Sequence, residues 1–289
     1  MKIIEKIPYF SIPIDLLDPF PNHPFQVRND EDMEELISSI RERGVIEPLI
    51  LRKEESGRYQ IISGHRRKKA CETLGITEVP AEVRDVDEDE AAIMLVDANL
   101  HRSHILPSEK AFAYKMRLEA MNRQGSRTDL TSAPLEQKLN SRKELAESVG
   151  ESSASVQRDI RLTYLIKPLR DLVDEYRIAK RPAYELSFLS EREQGMLFDE
   201  IELTQNTPSH PQARRLRKLS EAGELNQSAI DRILREDKSN QKDVLRVRVD
   251  FIKDYIPPEV PFSQMENYII NALKHYKRYY VRGGKGIAR

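Results

Sequence analysis

Residues 142–162, RKELAESVGESSASVQRDIRL, constrain the fold more tightly than any other stretch. Ala146 stands where two helices must approach closely, and Gly150, four residues later, suits a left-handed turn. Val156, six residues further on, plugs a second helix into a core completed by Leu145, Val149 and Ile160. Ser141 with Glu144 has the spacing of a capping box, so the first helix is expected to start there. The pattern is that of a helix-turn-helix. Its second helix would expose Ser152, Ser153, Gln157, Arg158 and Arg161: short donors near its start, then amide and guanidinium groups. Glutamine reads adenine bidentately and arginine reads guanine or holds a phosphate, so double-stranded DNA is the expected partner. An ordinary helical hairpin in an all-α domain needs the same small residues and is the competing reading.

Charge does not settle that choice by itself. The 289 residues carry 47 Lys and Arg against 48 Asp and Glu, a net charge of -1, so any nucleic-acid contact must rest on local clusters. Arg214, Arg215, Arg217 and Lys218 form one, and the end of the chain, KRYYVRGGKGIAR, another. Acidic runs occur at 30–35 and 85–90. Each run alone also fits a solvated surface. No stretch approaches the roughly 18 to 20 apolar residues of a membrane span, and the opening MKIIEKIPYFSIPIDLL has no secretory pattern. A single cysteine, Cys71, excludes a disulfide framework and a cysteine-based metal cluster, and fits a reducing cytosol.

The order of local patterns predicts an α+β chain: a small mixed α/β N-terminal domain, an all-α helix-turn-helix domain and a C-terminal helical segment. Residues 8–28 are proline-rich, with short strand-like pieces. Met33, Leu36, Ile37 and Ile40 fall on one helical face ending at Gly44. VIEPLILRK and RYQIISG read as a hairpin, HRRKKACETLG as a short basic helix, and EVPAEVRDV as a further strand. Helices are expected at 88–101 and 107–122, with Pro107 at N1. The expected domains are 1–122, then 123–236 opening on a linker at 123–141, then 237–289 with a helix from about Ser263 to Tyr280. That last helix carries an apolar stripe suited to a partner helix or to its own core.

Two segments have the chemistry of an anion site. In IISGHRRKKA a strand turns at Gly64 into a helix that begins His65, Arg66, Arg67. Its free N–H groups, helix dipole and guanidinium groups together suit phosphates. In DANLHRSH, Asn99, His101, Arg102 and His104 stand at a helix end and could serve a phosphate or a metal. A basic surface helix and a polar helix terminus are the plainer readings of the two.

Taken in order, PNHPFQVR (21–28), SIRERGVIEPLILR (39–52), GRYQIISGHRRKKACETLGITEVPAEVRDVDEDEA (57–91), NLHR (99–102), LPSEKAFAY (106–114) and the helix-turn-helix resemble the ParB-type partition protein family over about residues 10–235. The resemblance implies an N-terminal domain that binds CTP with Mg2+ and a helical domain that recognises a specific DNA site; the family's C-terminal dimerisation segment is not matched by roughly the last 40 residues here. It also implies a ParA-type partner ATPase and a cytoplasmic protein associated with nucleoid or plasmid. By the same resemblance Gly64, His65, Arg66, Arg67, Asn99 and Arg102 would bind the nucleotide, with Gly44 and Ile46 of the GVIEP turn against the base and Asn99 also toward the metal. Arg28 would belong to the domain that loads onto DNA.

Two positions depart from the family pattern. The motif usually written GERR has His65 in place of its acid, and the Glu before Asn99 is Ala98. Losing that Glu removes a hard oxygen ligand, so nucleotide binding with weak or absent hydrolysis is the expectation. Asp97 is one residue away, but a one-residue step turns a helical side chain by about 100°. A transcriptional regulator or nucleoid-occlusion factor on the same scaffold is the first alternative. An enzyme on the N-terminal fold (nuclease, small-molecule kinase or sulfiredoxin-like reductase) is the second, disfavoured because Cys71 lies beyond the phosphate turn and carboxylates with metal spacing are lacking.

Overall fold

The computed structural model describes residues 9–100, 102, 105–128, 134–236, 255–257, 260–261 and 264–283. The chain divides into two units, 1–236 and 237–289.

The first unit begins with a five-stranded mixed sheet. Its strands are β1 (Phe10–Pro13), β2 (Leu17–Pro19), β3 (Leu49–Lys53), β4 (Tyr59–Ser63) and β5 (Glu78–Arg84), in the order β1-β5-β3-β4-β2. The predicted β3–β4 hairpin is antiparallel, pairing Leu51 with Ile61 and Lys53 with Tyr59, while β3 and β5 run parallel. Alternation along β4 divides two cores. Ile61 packs with Leu49, Leu51 and Ala81 under α1 (Glu31–Arg43) and α2 (His65–Thr73), and Ile62 packs with Phe20, Phe25 and Leu95 under α3 (Glu88–Leu100). Asp30 caps α1, accepting from the Met33 N–H at 3.0 Å, and Gly44 closes it. The acidic run at 85–90 opens α3: the Asp87 carboxylate accepts from the Glu90 N–H at 2.8 Å, and buried Asp89 meets Arg123 at 2.7 Å. Those carboxylates are helix-start and packing groups.

Helix α4 (Pro107–Thr128) is 22 residues long, about 33 Å at 1.5 Å per residue. It runs past residue 122, where the sequence pattern suggests an end, and its faces serve three cores. Ala113 lies in the sheet-side core, Tyr114 in the helix-turn-helix core, and Ala111 in the core of the helices that follow. Helix α5 (Pro134–Ser148) likewise starts seven residues before the expected cap at Ser141. Serine inside a helix costs only a few tenths of a kcal/mol, which the packing of α5 on α4 outweighs. Much of the expected linker at 123–141 is therefore helical.

The remaining helices are α6 (Ser153–Arg161), α7 (Lys167–Asp174), α8 (Lys180–Leu186), α9 (Glu191–Thr204), α10 (His210–Glu221) and α11 (Gln227–Arg235). They enclose a core of Leu169, Leu172, Leu186, Leu197, Leu216 and Ile230 among others. In the second unit α12 (Met265–Gly283) leaves Ile270, Leu273 and Tyr276 exposed. No helix of the described residues is long and apolar enough to cross a membrane.

Candidate nucleotide site and DNA-reading helix

The turn from β4 into α2 is set by Gly64. Its φ is 109°, and a Cβ there would lie 2.7 Å from the Leu49 side chain, so only glycine lets the backbone pass this close. The free N–H groups at the start of α2 are thereby presented at the end of the sheet. His65, Arg66 and Arg67 leave from that first turn in three directions. Arg66 meets the Asp30 carboxylate at 3.0 Å. Arg67 reaches back to the carbonyls of Glu47 and Pro48, at 2.6 and 2.7 Å, and so fastens the 44–48 loop on which Ile46 stands 70% exposed. Arg67 is accordingly a positioning residue for the loop. Burial, opposed by Glu47, lowers its pKa.

His65 lies against His23, with ring centroids 3.9 Å apart. Sequence reasoning missed His23, because nothing in PNHPFQVR marks one residue as facing a turn 42 positions away. Burial, His23 and Lys68 push the His65 pKa down to about 3. Burial, reinforced by Arg102 and opposed by the Phe25 carbonyl, also lowers that of His23. Arg102 is half-buried, and its pKa is lowered by burial first and then by Arg66, with Arg28 adding to the effect. Arg28 is held by Glu109 at 2.9 Å, and buried Glu109 also accepts the N–H groups of Gln26 and Leu106. The cluster thus sets Arg102 beside two carboxylate-paired guanidinium groups, Arg66 and Arg28, and a free helix N-terminus, a surrounding that favours an anion.

Asn99 is differently placed. Its amide donates to the Leu95 carbonyl at 2.8 Å, and its oxygen lies 3.4 Å from Arg102. That contact places Asn99 beside Arg102. Asp97 turns away to Arg117 at 2.5 Å, so it does not replace the carboxylate missing at Ala98. No group of three His, Cys, Asp or Glu that could hold a metal occurs among the described residues. His101 and His104 lie outside the described residues. Cys71 is fully buried, and its thiol pKa is raised by that burial.

The helix-turn-helix forms as its spacing requires. Gly150 takes φ 68° in the turn, and Leu145, Ala146 and Val156 are buried with Tyr114. Ser152 caps α6, accepting from the Ser155 N–H at 3.1 Å. Ser153, Gln157 and Arg158 are exposed along one side, with Arg142 donating to Gln157 at 3.3 Å. Arg161 departs from the expectation. Its guanidinium donates to the Ser187 hydroxyl and carbonyl at 3.2 and 3.0 Å and stacks between Tyr164 and Phe188. It fastens α6 to α8 and is not presented with the other four. Sequence reasoning also missed what orients α6. Buried Asp159 pairs with Lys180 at 3.1 Å and Lys110 at 3.5 Å, while Lys110 and Tyr114 of α4 bind Glu151 in the turn. A cavity of about 360 Å3 beside this network has both Arg102 and Glu151 in its lining.

Residues 4–100 match the family model of the ParB N-terminal domain. A nucleoid occlusion protein of Geobacillus kaustophilus (strain HTA426) is 31% identical over 74% of this chain and 70% of its own length. The chain belongs to the ParB family. Against the Geobacillus nucleoid occlusion proteins it matches, this ParB-family chain spans 66 to 70% of their length. Two solved structures of C-terminally truncated ParB from Caulobacter crescentus also align. The one complexed to the centromeric parS site is 22% identical over 74% of this chain and 99% of that one, with a TM-score of 0.41. The one complexed with CTP-gamma-S is 25% identical over 68% and 99%, with a TM-score of 0.31.

Proposed function

We propose that this ParB-family chain is a partition-type DNA-binding protein. In this reading it recognises a specific site through α6 and binds CTP at the β4–α2 turn, in segregation of a chromosome, plasmid or mobile element. The observation that carries the reading is the convergence of an uncapped helix N-terminus with Arg66, Arg102 and Arg28, in the same chain as a formed helix-turn-helix. Selectivity for cytosine is taken from the family resemblance, with Ile46 on the Arg67-fastened loop as the apolar surface for a base. Mg2+ enters as an ion carried by the phosphates, and weak or absent hydrolysis follows from Ala98 and from the Asp97–Arg117 pair. The reading takes 1–122 as the nucleotide-binding part and 123–236 as the DNA-binding part, although α4 belongs to both. It includes a homodimer, a ParA-type partner and a place on the nucleoid or plasmid.

Arg67→Ala should weaken CTP binding about tenfold or more, about 1.4 kcal/mol, by releasing the 44–48 loop. Equilibrium binding of labelled CTP competed by ATP, GTP and UTP measures this. Unchanged affinity in the variant would remove Arg67 from the site. Failure of every nucleotide to bind a folded wild type would remove the nucleotide reading altogether.

Arg158→Ala should cost about 1 to 3 kcal/mol at the preferred DNA site and flatten the ranking among sites. Selection from a randomised duplex pool, for wild type and variant, tests it. An unchanged ranking would leave Arg158 a phosphate contact at most.

The similarity to nucleoid occlusion proteins favours a second reading, a DNA-binding factor on this scaffold acting without a segregation partner. Co-purification of a ParA-type ATPase separates the two readings: capture of one supports partition.

A further inference from the structure

The His23–His65 pair lies outside anything the phosphate cluster requires by charge alone. The His23 Nδ1 atom is 2.6 Å from the Phe25 carbonyl. A carbonyl only accepts, so Nδ1 carries the hydrogen and the neutral ring leaves Nε2 as a bare lone pair. That Nε2 is buried and has no hydrogen-bond partner among the described residues, and the same holds for Nε2 of His65. Two half-buried rings in contact, tilted 46° to each other, each with a buried nitrogen left unanswered, are costly beside the start of α2 in a protein with nothing to bind there.

We propose that His23 and His65 form a single proton-binding element of the phosphate site, and that nucleotide binding takes up a proton on this pair. The inference rests on the reading of the β4–α2 turn as a nucleotide site. A phosphate oxygen only accepts, so it repels the lone pair that the Phe25 carbonyl imposes on His23. It is met favourably only when that nitrogen carries a proton.

The groups facing the pair agree. Burial first, then His23 and Lys68 at His65 and Arg102 at His23, hold the rings neutral in the free protein. Glu109 of α4 opposes this, but it is engaged with Arg28 of the 21–28 segment, as Asp30 at the start of α1 is with Arg66. A polyphosphate supplies the negative charge that the engaged carboxylates do not. Both histidine pKa values lie below 6.5 in the free protein and rise on binding, so affinity falls as pH increases through the window between free and bound values.

Calorimetric titration of the full chain with CTP and magnesium tests this. The titration is run at pH 6.0, 6.75 and 7.5, in pairs of buffers with different ionisation enthalpies. The count expected for wild type exceeds the nucleotide's own protonation change by up to one proton, with affinity falling by up to about tenfold per pH unit. The His23→Gln and His65→Gln double variant should lose that excess. CTP binding by wild type with no excess proton overturns the inference and leaves the nucleotide site standing. An excess that survives in the double variant overturns it as well. No binding of any nucleotide to the folded protein overturns both. Should the double variant fail to fold, the wild-type count decides alone.

Discussion

Gly64→Ala should destabilise the protein by about 3 kcal/mol and abolish nucleotide binding. Two costs add. A side-chain-bearing residue held at positive φ costs about 1 to 3 kcal/mol. The new methyl also enters the volume of Leu49, which is fully buried and cannot swing away without repacking the sheet, and overpacking of that kind costs about 1 to 3 kcal/mol. Gly57→Ala separates the terms, because Gly57 also has positive φ, at 81°, but its Cβ would meet nothing within 4 Å. That variant should lose only the backbone part. Urea unfolding of both variants and wild type measures the difference. Equal losses would show that the Leu49 contact relaxes freely and that Gly64 is required for its dihedral alone.

Arg161→Ala should cost about 2 kcal/mol of stability and leave the order of preferred DNA sites unchanged. Two hydrogen bonds to Ser187 disappear, and Ser187 is only 2% exposed, so its carbonyl loses a donor in a place water does not readily replace. The cation–π stack on Tyr164 and Phe188, at 4.3 and 4.1 Å, goes as well. Arg161→Lys should recover little, since a lysine ammonium cannot reproduce the planar fork between two rings. Thermal unfolding and the duplex selection used for Arg158 distinguish the roles. A changed site ranking with unchanged stability would return Arg161 to the base-reading face.

The contacts of Arg161 mark the limit of reading α6 from the sequence. Ser152, Ser153, Gln157, Arg158 and Arg161 were drawn from one local pattern, and the pattern correctly finds the turn at Gly150 and the buried Val156. Arg161 stands at the last position of α6, where it is captured by Ser187 and Phe188 more than 25 residues later. At the β4–α2 turn, Gly64 and the basic residues after it are legible because they are contiguous. That Arg67 holds a loop and that His23 covers His65 are long-range facts. The start of α5 at Pro134 and the passage of α4 beyond residue 122 follow the same rule, since a helix end is decided by what packs on it as well as by its capping residues.

By itself the sequence determined the elements whose causes are local. These are the period of α1, the β3–β4 hairpin, the glycine turns at 64 and 150, and the buried face of the helix-turn-helix, each set by sterics and periodicity within about a dozen residues. Only the tertiary structure decided which charges are spent. Asp30 with Arg66, Asp97 with Arg117, Glu109 with Arg28, and Asp159 with Lys110 and Lys180 join residues 20 to 81 positions apart. Coulomb energy and hydrogen-bond geometry depend on distance in space, and a linear sequence does not specify that distance until the chain has folded.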